Sequence, residues 1–283
     1  MRRHVSALLL ALAIAACGGK LDSEENDRTV VFGTPAPSDA GSSSPNPTTN
    51  IASLPGLVLW LESTKDVMVD DGRVKNWLDQ SPEHNNMALF DGQGATVGQE
   101  IGGMQTIQFD GASSYSLPFD TPLDDWSGDF LVEIVVRVHS PQSGLQAIFS
   151  CSGTPPNVPG FTRAVFYLDG DQTSECSVDS DGYSNESQSK TLGSDAALVG
   201  YWRHGNTLEA HRNALIDRSD DLPRATSPSC GKTIFGANLD EDPTTEDDYL
   251  ASEIAEVVVV HGSLSDPQVH DVEHALTTKY AIP

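Results

Sequence analysis

The chain has 283 residues, with 41 Asp and Glu against 16 Lys and Arg, for a formal charge of −25. That balance excludes a protein that holds nucleic acid by counterion release, which needs clustered cations, and it disfavours a bare anionic membrane surface. The 24 Gly and 17 Pro call for many turns, while 38% hydrophobic residues supply a core. No stretch of 18 apolar residues would make a transmembrane helix.

The first segment reads as an export signal, residues 1–16. Arg2 and Arg3 form a positive start, Val5 to Ile14 an apolar stretch, and the small Ala15 and Ala16 precede Cys17. The string I-A-A-C at Ile14 to Cys17 resembles the lipobox of bacterial lipoproteins, in which the chain is cut before the Cys and that residue is acylated. The resemblance implies lipidation at Cys17 and membrane attachment through several acyl chains, each CH₂ adding about 0.8 kcal/mol. By the same resemblance, Gly18 after the Cys, rather than Asp, implies outer-membrane sorting in a cell with two membranes, so the expected location is the outer membrane or cell surface.

Residues 17–50 then read as a lipidated Cys and a disordered tether. They are rich in Ser, Pro, Gly, Thr, Asn and acids, with only Val30, Val31 and Phe32 as an apolar cluster, too little to bury. A coil of this length spans on the order of 30 Å, enough to hold the next domain off a lipid surface.

From Ile51 onward the pattern is β with one closing helix. In F-L-V-E-I-V-V-R-V, Phe130, Val132, Ile134, Val136 and Val138 fall on one face and Leu131, Glu133, Val135 and Arg137 on the other, which predicts a strand with one buried face. Short apolar runs at Leu57 to Leu61, Thr106 to Phe109, Gln146 to Ser150, Ala164 to Leu168, Thr207 to His211, Thr233 to Phe235 and Ile254 to Val260 are separated by Gly, Pro, Asp and Ser. Val257 to Val260 lacks polar alternation and predicts a central strand covered on both faces. Near the end, Ser265 or Asp266 can cap a helix with Pro267 in its first turn, and Val269, Val272, Leu276 and Tyr280 share one face. The expected fold is an all-β, two-sheet antiparallel sandwich with a short C-terminal helix, formed by residues 51–283 as one domain.

L-P-G-L-V-L-W-L-E-S at Leu54 to Ser63, W-L-D-Q-S at Trp77 to Ser81 and I-Q-F-D-G at Ile107 to Gly111 resemble the opening half of bacterial concanavalin A-like, laminin-G-like domains. I-A-E-V-V-V-V from Ile254 and V-E-H-A-L-T-T-K-Y from Val272 to Tyr280 are similar to the way such domains finish. The resemblance implies a jelly-roll sandwich. It does not choose among lectins, laminin-G-like or pentraxin-like binding modules and glycoside hydrolases.

Catalytic patterns are wanting. Glycosidases of this fold class resemble one another in an E-x-D-x-E strand whose period of two aims its acids into one cleft. Here S-E-I-A-E-V offers Glu253 and Glu256, three apart and so expected on opposite faces, as surface acids at a strand end. His270, Glu273 and His274 spell H-x-x-E-H, the reversed zinc-protease string, but only nine residues follow His274 to supply a third ligand, and the three are expected as solvated helix residues. No nucleophile elbow, P-loop or dinucleotide fingerprint occurs.

Three cysteines remain beyond Cys17, and one pair among Cys151, Cys176 and Cys230 is expected to bond in a non-cytosolic space, with three buried free thiols as the alternative. Three pairings are open, with Cys151 to Cys176 preferred. Acid clusters at Asp169 to Asp171, Asp179 to Gly182 and Asn238 to Asp242 could give loop oxygens to Ca²⁺. Asp179 and Asp181 are the candidate metal ligands, and a solvated acidic loop is the alternative. Trp126, in D-D-W-S-G-D, is the aromatic expected to be exposed for stacking on a sugar, followed by Tyr183, whereas Trp60, Trp77 and Trp202 are expected in the core. The resulting expectation is a membrane-anchored envelope lipoprotein presenting a non-catalytic module to a glycan or a protein. The alternatives are a glycosidase with displaced acids and a purely structural lipoprotein.

Overall fold

The computed structural model describes residues 50–118, 121–139, 144–152, 163–169, 173–179, 186–190, 192–221, 230–239 and 246–283. Cys17 and nearly all of the tether, like Asp181 and Tyr183, lie outside the described residues. The strands run in chain order as β1 (Leu57–Glu62), β2 (Val67–Asp70), β3 (Arg73–Trp77), β4 (Met87–Asp91), β5 (Thr96–Val97), β6 (Ile107–Gln108) and β7 (Ser114–Ser116). Next come β8 (Phe130–Val138), β9 (Gln146–Ser152), β10 (Arg163–Leu168), β11 (Ser174–Asp179), β12 (Glu186–Gln188), β13 (Ala196–His204), β14 (Thr207–Arg212) and β15 (Leu215–Asp221). β16 (Lys232–Phe235), β17 (Asn238–Leu239), β18 (Glu246–Asp247) and β19 (Ser252–His261) precede the helix α1 (Asp266–Tyr280).

Two antiparallel sheets form a sandwich. One has the order β15-β14-β13-β8-β19-β6-β5, with β1 also on β19, and the other β12-β11-β10-β9-β16-β7-β4-β3-β2. Alternation along β8 sends Phe130, Val132, Ile134, Val136 and Val138 into the core between the sheets, as expected. Its other face is not solvated. Leu131 and Val135 pack with Leu198, Val258 and Val260 beneath Val269, Val272, Leu276 and Tyr280 of α1, so β8 is buried on both sides. Each of those four helix side chains contributes about 2 kcal/mol by leaving water, which docks the helix on this sheet. β19 is covered on both faces as its unbroken apolar run predicts, with Val257 and Val259 inward and Val258 and Val260 under the helix. Ser265 is the N-cap, and its backbone N–H donates to Gln268 Oε1 at 3.0 Å.

Three expectations are corrected here. The disulfide joins Cys151 to Cys230, with Cα atoms 5.4 Å apart, rather than Cys151 to Cys176. Cys151 is on β9, whose neighbours are β10 and β16, and Cys176 is on β11, one strand further out. Two strand spacings are roughly 9.5 Å, beyond the ~7 Å reach of a disulfide, and the Cys176 thiol is buried outside the bond.

Trp126, expected at the surface, is 0% exposed. Asp125 turns outward and accepts the Ser127 N–H at 2.9 Å, while the indole packs against Phe130, Phe149, Phe166 and His261 with ring centres 4.7 to 5.5 Å away. A polar loop context does not hold a ring in water when an apolar cavity of its size lies beneath.

Glu253 and Glu256, expected as surface acids on opposite faces, are both fully buried. A bulge between Ile254 and Glu256 interrupts the period of two. Glu253 meets Arg137 at 2.7 Å and His139 at 3.1 Å, and Glu256 meets Lys279 at 2.6 Å and accepts from Trp60 Nε1 and the Tyr280 hydroxyl.

Candidate functional site

Of the residues singled out from sequence, Trp126 is core, and Asp179 ends β11 with only its backbone described, opposite Arg163. The calcium and sugar-stacking expectations at Asp181 and Tyr183 fall outside the described residues. A different constellation stands out, where α1 crosses the β8, β13 and β14 strands.

Its base is one row across three strands. His211 of β14 pairs with Gly200 of β13, and Gly200 pairs with Glu133 of β8. Glu133 shares the helix-side face with Leu131 and Val135, so the alternation that buries those apolar neighbours also buries a carboxylate. Gly200 makes this possible, because a Cβ there would sit 2.5 Å from Glu133 Oε1. From above, Glu273 of α1 reaches down until its Oε1 is 2.6 Å from His211 Nδ1. The helical spacing that buries Val269, Val272 and Leu276 buries Glu273 too, which corrects its reading as a solvated residue; His270 and His274 are exposed as expected. His211 Nε2 faces Glu209 Oε2 at 3.2 Å, so both ring nitrogens have carboxylate partners.

The electrostatics of this row are lopsided. Both oxygens of Glu133 are buried without a hydrogen-bond partner. Burial, with the nearby charge of Glu273, pushes the Glu133 carboxyl well above the usual carboxylate range. Burial of His211 works against its proton, but the hydrogen bond and charge of Glu273, then those of Glu209, prevail and raise it above the ordinary imidazole value. Among the described residues, Glu133, His211 and Glu273 form the group whose donor atoms, all within 4.8 Å of one another, could hold a metal ion.

Above the row opens a groove of about 260 Å³ between α1 and the β13–β15 strands. The Trp202 indole lies under the His204 ring, stacked with centres 4.1 Å apart, and His204 Nε2 is 3.6 Å from Glu209 Oε1. Trp202 Nε1 is buried and has no hydrogen-bond partner. Ile216, 60% exposed, makes an apolar lip on β15, and Asp266 and His270 make a polar one on α1. An aromatic platform beside carboxylate acceptors in an open groove is what a hydroxyl-rich small molecule requires. The sequence signal for this site was the lone acid inside the apolar F-L-V-E-I-V-V strand together with Glu273 of H-x-x-E-H; Trp202, His204, Glu209 and His211 carried none.

Neither a protein-family model nor a curated protein matches the chain. Solved structures do. The binding domain of Paraclostridial Mosquitocidal Protein 1 aligns with a TM-score of 0.56 at 10% identity, over 80% of this chain and 53% of that one. The ligand binding domain of botulinum neurotoxin serotype D, in complex with N-acetylneuraminic acid, aligns with a TM-score of 0.54 at 10% identity, over 77% of this chain and 50% of that one. The Ruminococcus gnavus IT-sialidase CBM40 bound to alpha2,3 sialyllactose aligns with a TM-score of 0.47 at 13% identity, over 59% of this chain and 96% of that one. This chain spans about half the length of the two toxin domains. At these identities the toxin domains establish likeness of fold alone, that of a β-sandwich.

Proposed function

We propose that the protein is an exported, lipid-anchored recognition module that binds a carbohydrate in the groove between α1 and the β13–β15 strands. The observation that carries this reading is the Trp202–His204 stack beside Glu209 in the groove. The exposed side of the His204 ring offers the platform, and Glu209 accepts from neighbouring hydroxyls. The charge of −25 and the carboxylates of the groove favour a neutral glycan, in contrast to the acidic sugar bound by the serotype D toxin domain. The engagement of Glu253 and Glu256 in ion pairs supports a non-catalytic role.

On a glycan array, the full chain is expected to select neutral oligosaccharides, and His204→Ala is expected to weaken the best ligand at least tenfold without changing the melting temperature. A blank array, or an affinity indifferent to His204, defeats the reading.

Anchoring is tested separately. Residues 17–50 act in this proposal as the acylated tether of the 51–283 domain. Cys17→Ala is expected to move the protein from the membrane fraction to the soluble one with its circular dichroism unchanged. Persistence with membranes after a high-salt wash would disprove the lipid anchor.

A further inference from the structure

Among the described residues, the other buried acids around β1 and β19 of this sheet have cations beside them. Glu62 and Glu256 share Lys279, Lys65 also reaches Glu62, and Glu253 has Arg137 and His139. Glu273 and Glu209 share His211, with the more exposed His204 also 3.6 Å from Glu209 and His270 4.0 Å from Glu273, whereas no ion pair reaches Glu133 among the described residues. Glu133 in addition is 0% exposed, has two oxygens without partners, and occupies a space that exists because residue 200 has no side chain. A carboxylate in such a place is costly, so without a partner it keeps its proton, and a metal ion is what would let it ionise. Among the described residues, the titratable groups gathered with Glu133 are His211 and Glu273, and neither hydrogen-bonds it.

We propose that the protein binds one divalent ion of the zinc class at the floor of the groove, held by Glu133, His211 Nδ1 and Glu273. Zinc takes nitrogen and carboxylate oxygen at about 2.0–2.2 Å, which puts tetrahedral donors about 3.4 Å apart. The three donor atoms lie within 4.8 Å of one another, so small side-chain rotations close the site around an ion. His211 is already oriented for it. With Nδ1 on the ion, Nε2–H donates to Glu209 Oε2 at 3.2 Å, the carboxylate support that metal-bound imidazoles receive. Three protein ligands leave a fourth position, and His211 and Glu273 line the groove, so that position faces its interior. Calcium does not suit this donor set. It takes six to eight oxygens, and one imidazole with two carboxylates cannot supply them. The inference stands independently of what the groove binds.

The test uses the full chain, stripped with a chelator and titrated with ZnCl₂ by calorimetry, with CaCl₂ and MgCl₂ in parallel and bound metal counted by elemental analysis. One equivalent of zinc is expected, with no comparable heat from calcium or magnesium. Glu133→Gln and His211→Gln are each expected to weaken zinc at least a hundredfold, and Glu209→Gln, which removes only the support, by roughly ten- to a hundredfold. The exposed His270 and His274 lie one helical turn apart and could collect zinc at the surface, so the double variant His270→Ala, His274→Ala is the control, and it is expected to bind as before. Glu133→Gln keeps the shape of the side chain and removes an unpaired acid, so circular dichroism should match the parent; should it fail to fold, Glu273→Gln reads the same site from the helix. No stoichiometric zinc, or zinc lost in the control double variant yet retained in Glu133→Gln and His211→Gln, overturns the proposal.

Discussion

Replacing both Cys151 and Cys230 by alanine is expected to lower the unfolding free energy by about 4 kcal/mol. The bond joins residues 79 apart in sequence, and closing a loop of that length removes roughly this much chain entropy from the unfolded ensemble. Its position adds to the effect. Cys151 is on β9 and Cys230 lies two residues before β16, so the bond ties together two neighbouring strands that are distant in the chain, beside the pair Thr233 and Cys151. The Cys230 N–H also donates to the Asp124 carbonyl at 2.8 Å, carrying the constraint to the turn that delivers Trp126 into the core. Denaturant titration of the parent, the double alanine variant and the parent under reductant measures the effect. The last two should agree. Cys176→Ser, which leaves the bond intact, should retain that 4 kcal/mol, and a loss below about 1 kcal/mol in the double variant would show that the unfolded chain is already constrained without the bond.

Acidification supplies the second large effect, through His261. The imidazole packs on Trp126 with ring centres 4.7 Å apart, and its Nε2 is buried without a hydrogen-bond partner. Burial lowers it from 6.5 to about 4, against the opposing pull of the Pro122 carbonyl and Asp125. The folded protein thus holds His261 neutral where the unfolded chain would protonate it. The associated stability is complete above pH 6.5 and is lost as pH falls toward 4, by about 3 kcal/mol at about 1.4 kcal/mol per pH unit. His211, shifted upward, has the opposite sign, and its contribution is fully present throughout that acidic window. The measurement is therefore the difference between the parent and His261→Gln in urea unfolding at pH 7, 5.5 and 4. The variant should lack the decline that the parent shows between pH 6.5 and 4 beyond the common carboxylate loss. Parallel curves would show that His261 reaches water in the native state.

The fold was legible where its determinants are local. The alternation of Phe130 to Val138, the unbroken apolar run of Val257 to Val260 and the Ser265 cap with its four-residue apolar face each specify an element from neighbouring residues. β13 escaped because Ala196, Ala197 and Gly200 dilute its pattern, and β15 because Leu215 to Asp221 is a mostly exposed edge strand with few apolar residues. Both flank the groove. The site was hidden for that reason and for another: His211, Gly200 and Glu133 become neighbours only through strand register, and Glu273 joins them only when α1 docks.

By itself the sequence determined that this chain builds an antiparallel sandwich closed by a C-terminal helix, because side-chain period and capping act over a few residues. Tertiary structure alone decided that Cys151 bonds Cys230, since strand order sets which thiols come within reach. It decided that Trp126 turns inward, since the cavity it fills is made by Phe130, Phe149 and Phe166 from three separate strands. And it decided that Glu133 is an unpaired buried acid rather than the solvent face of a strand, because a helix more than 130 residues further along the chain covers it and excludes water.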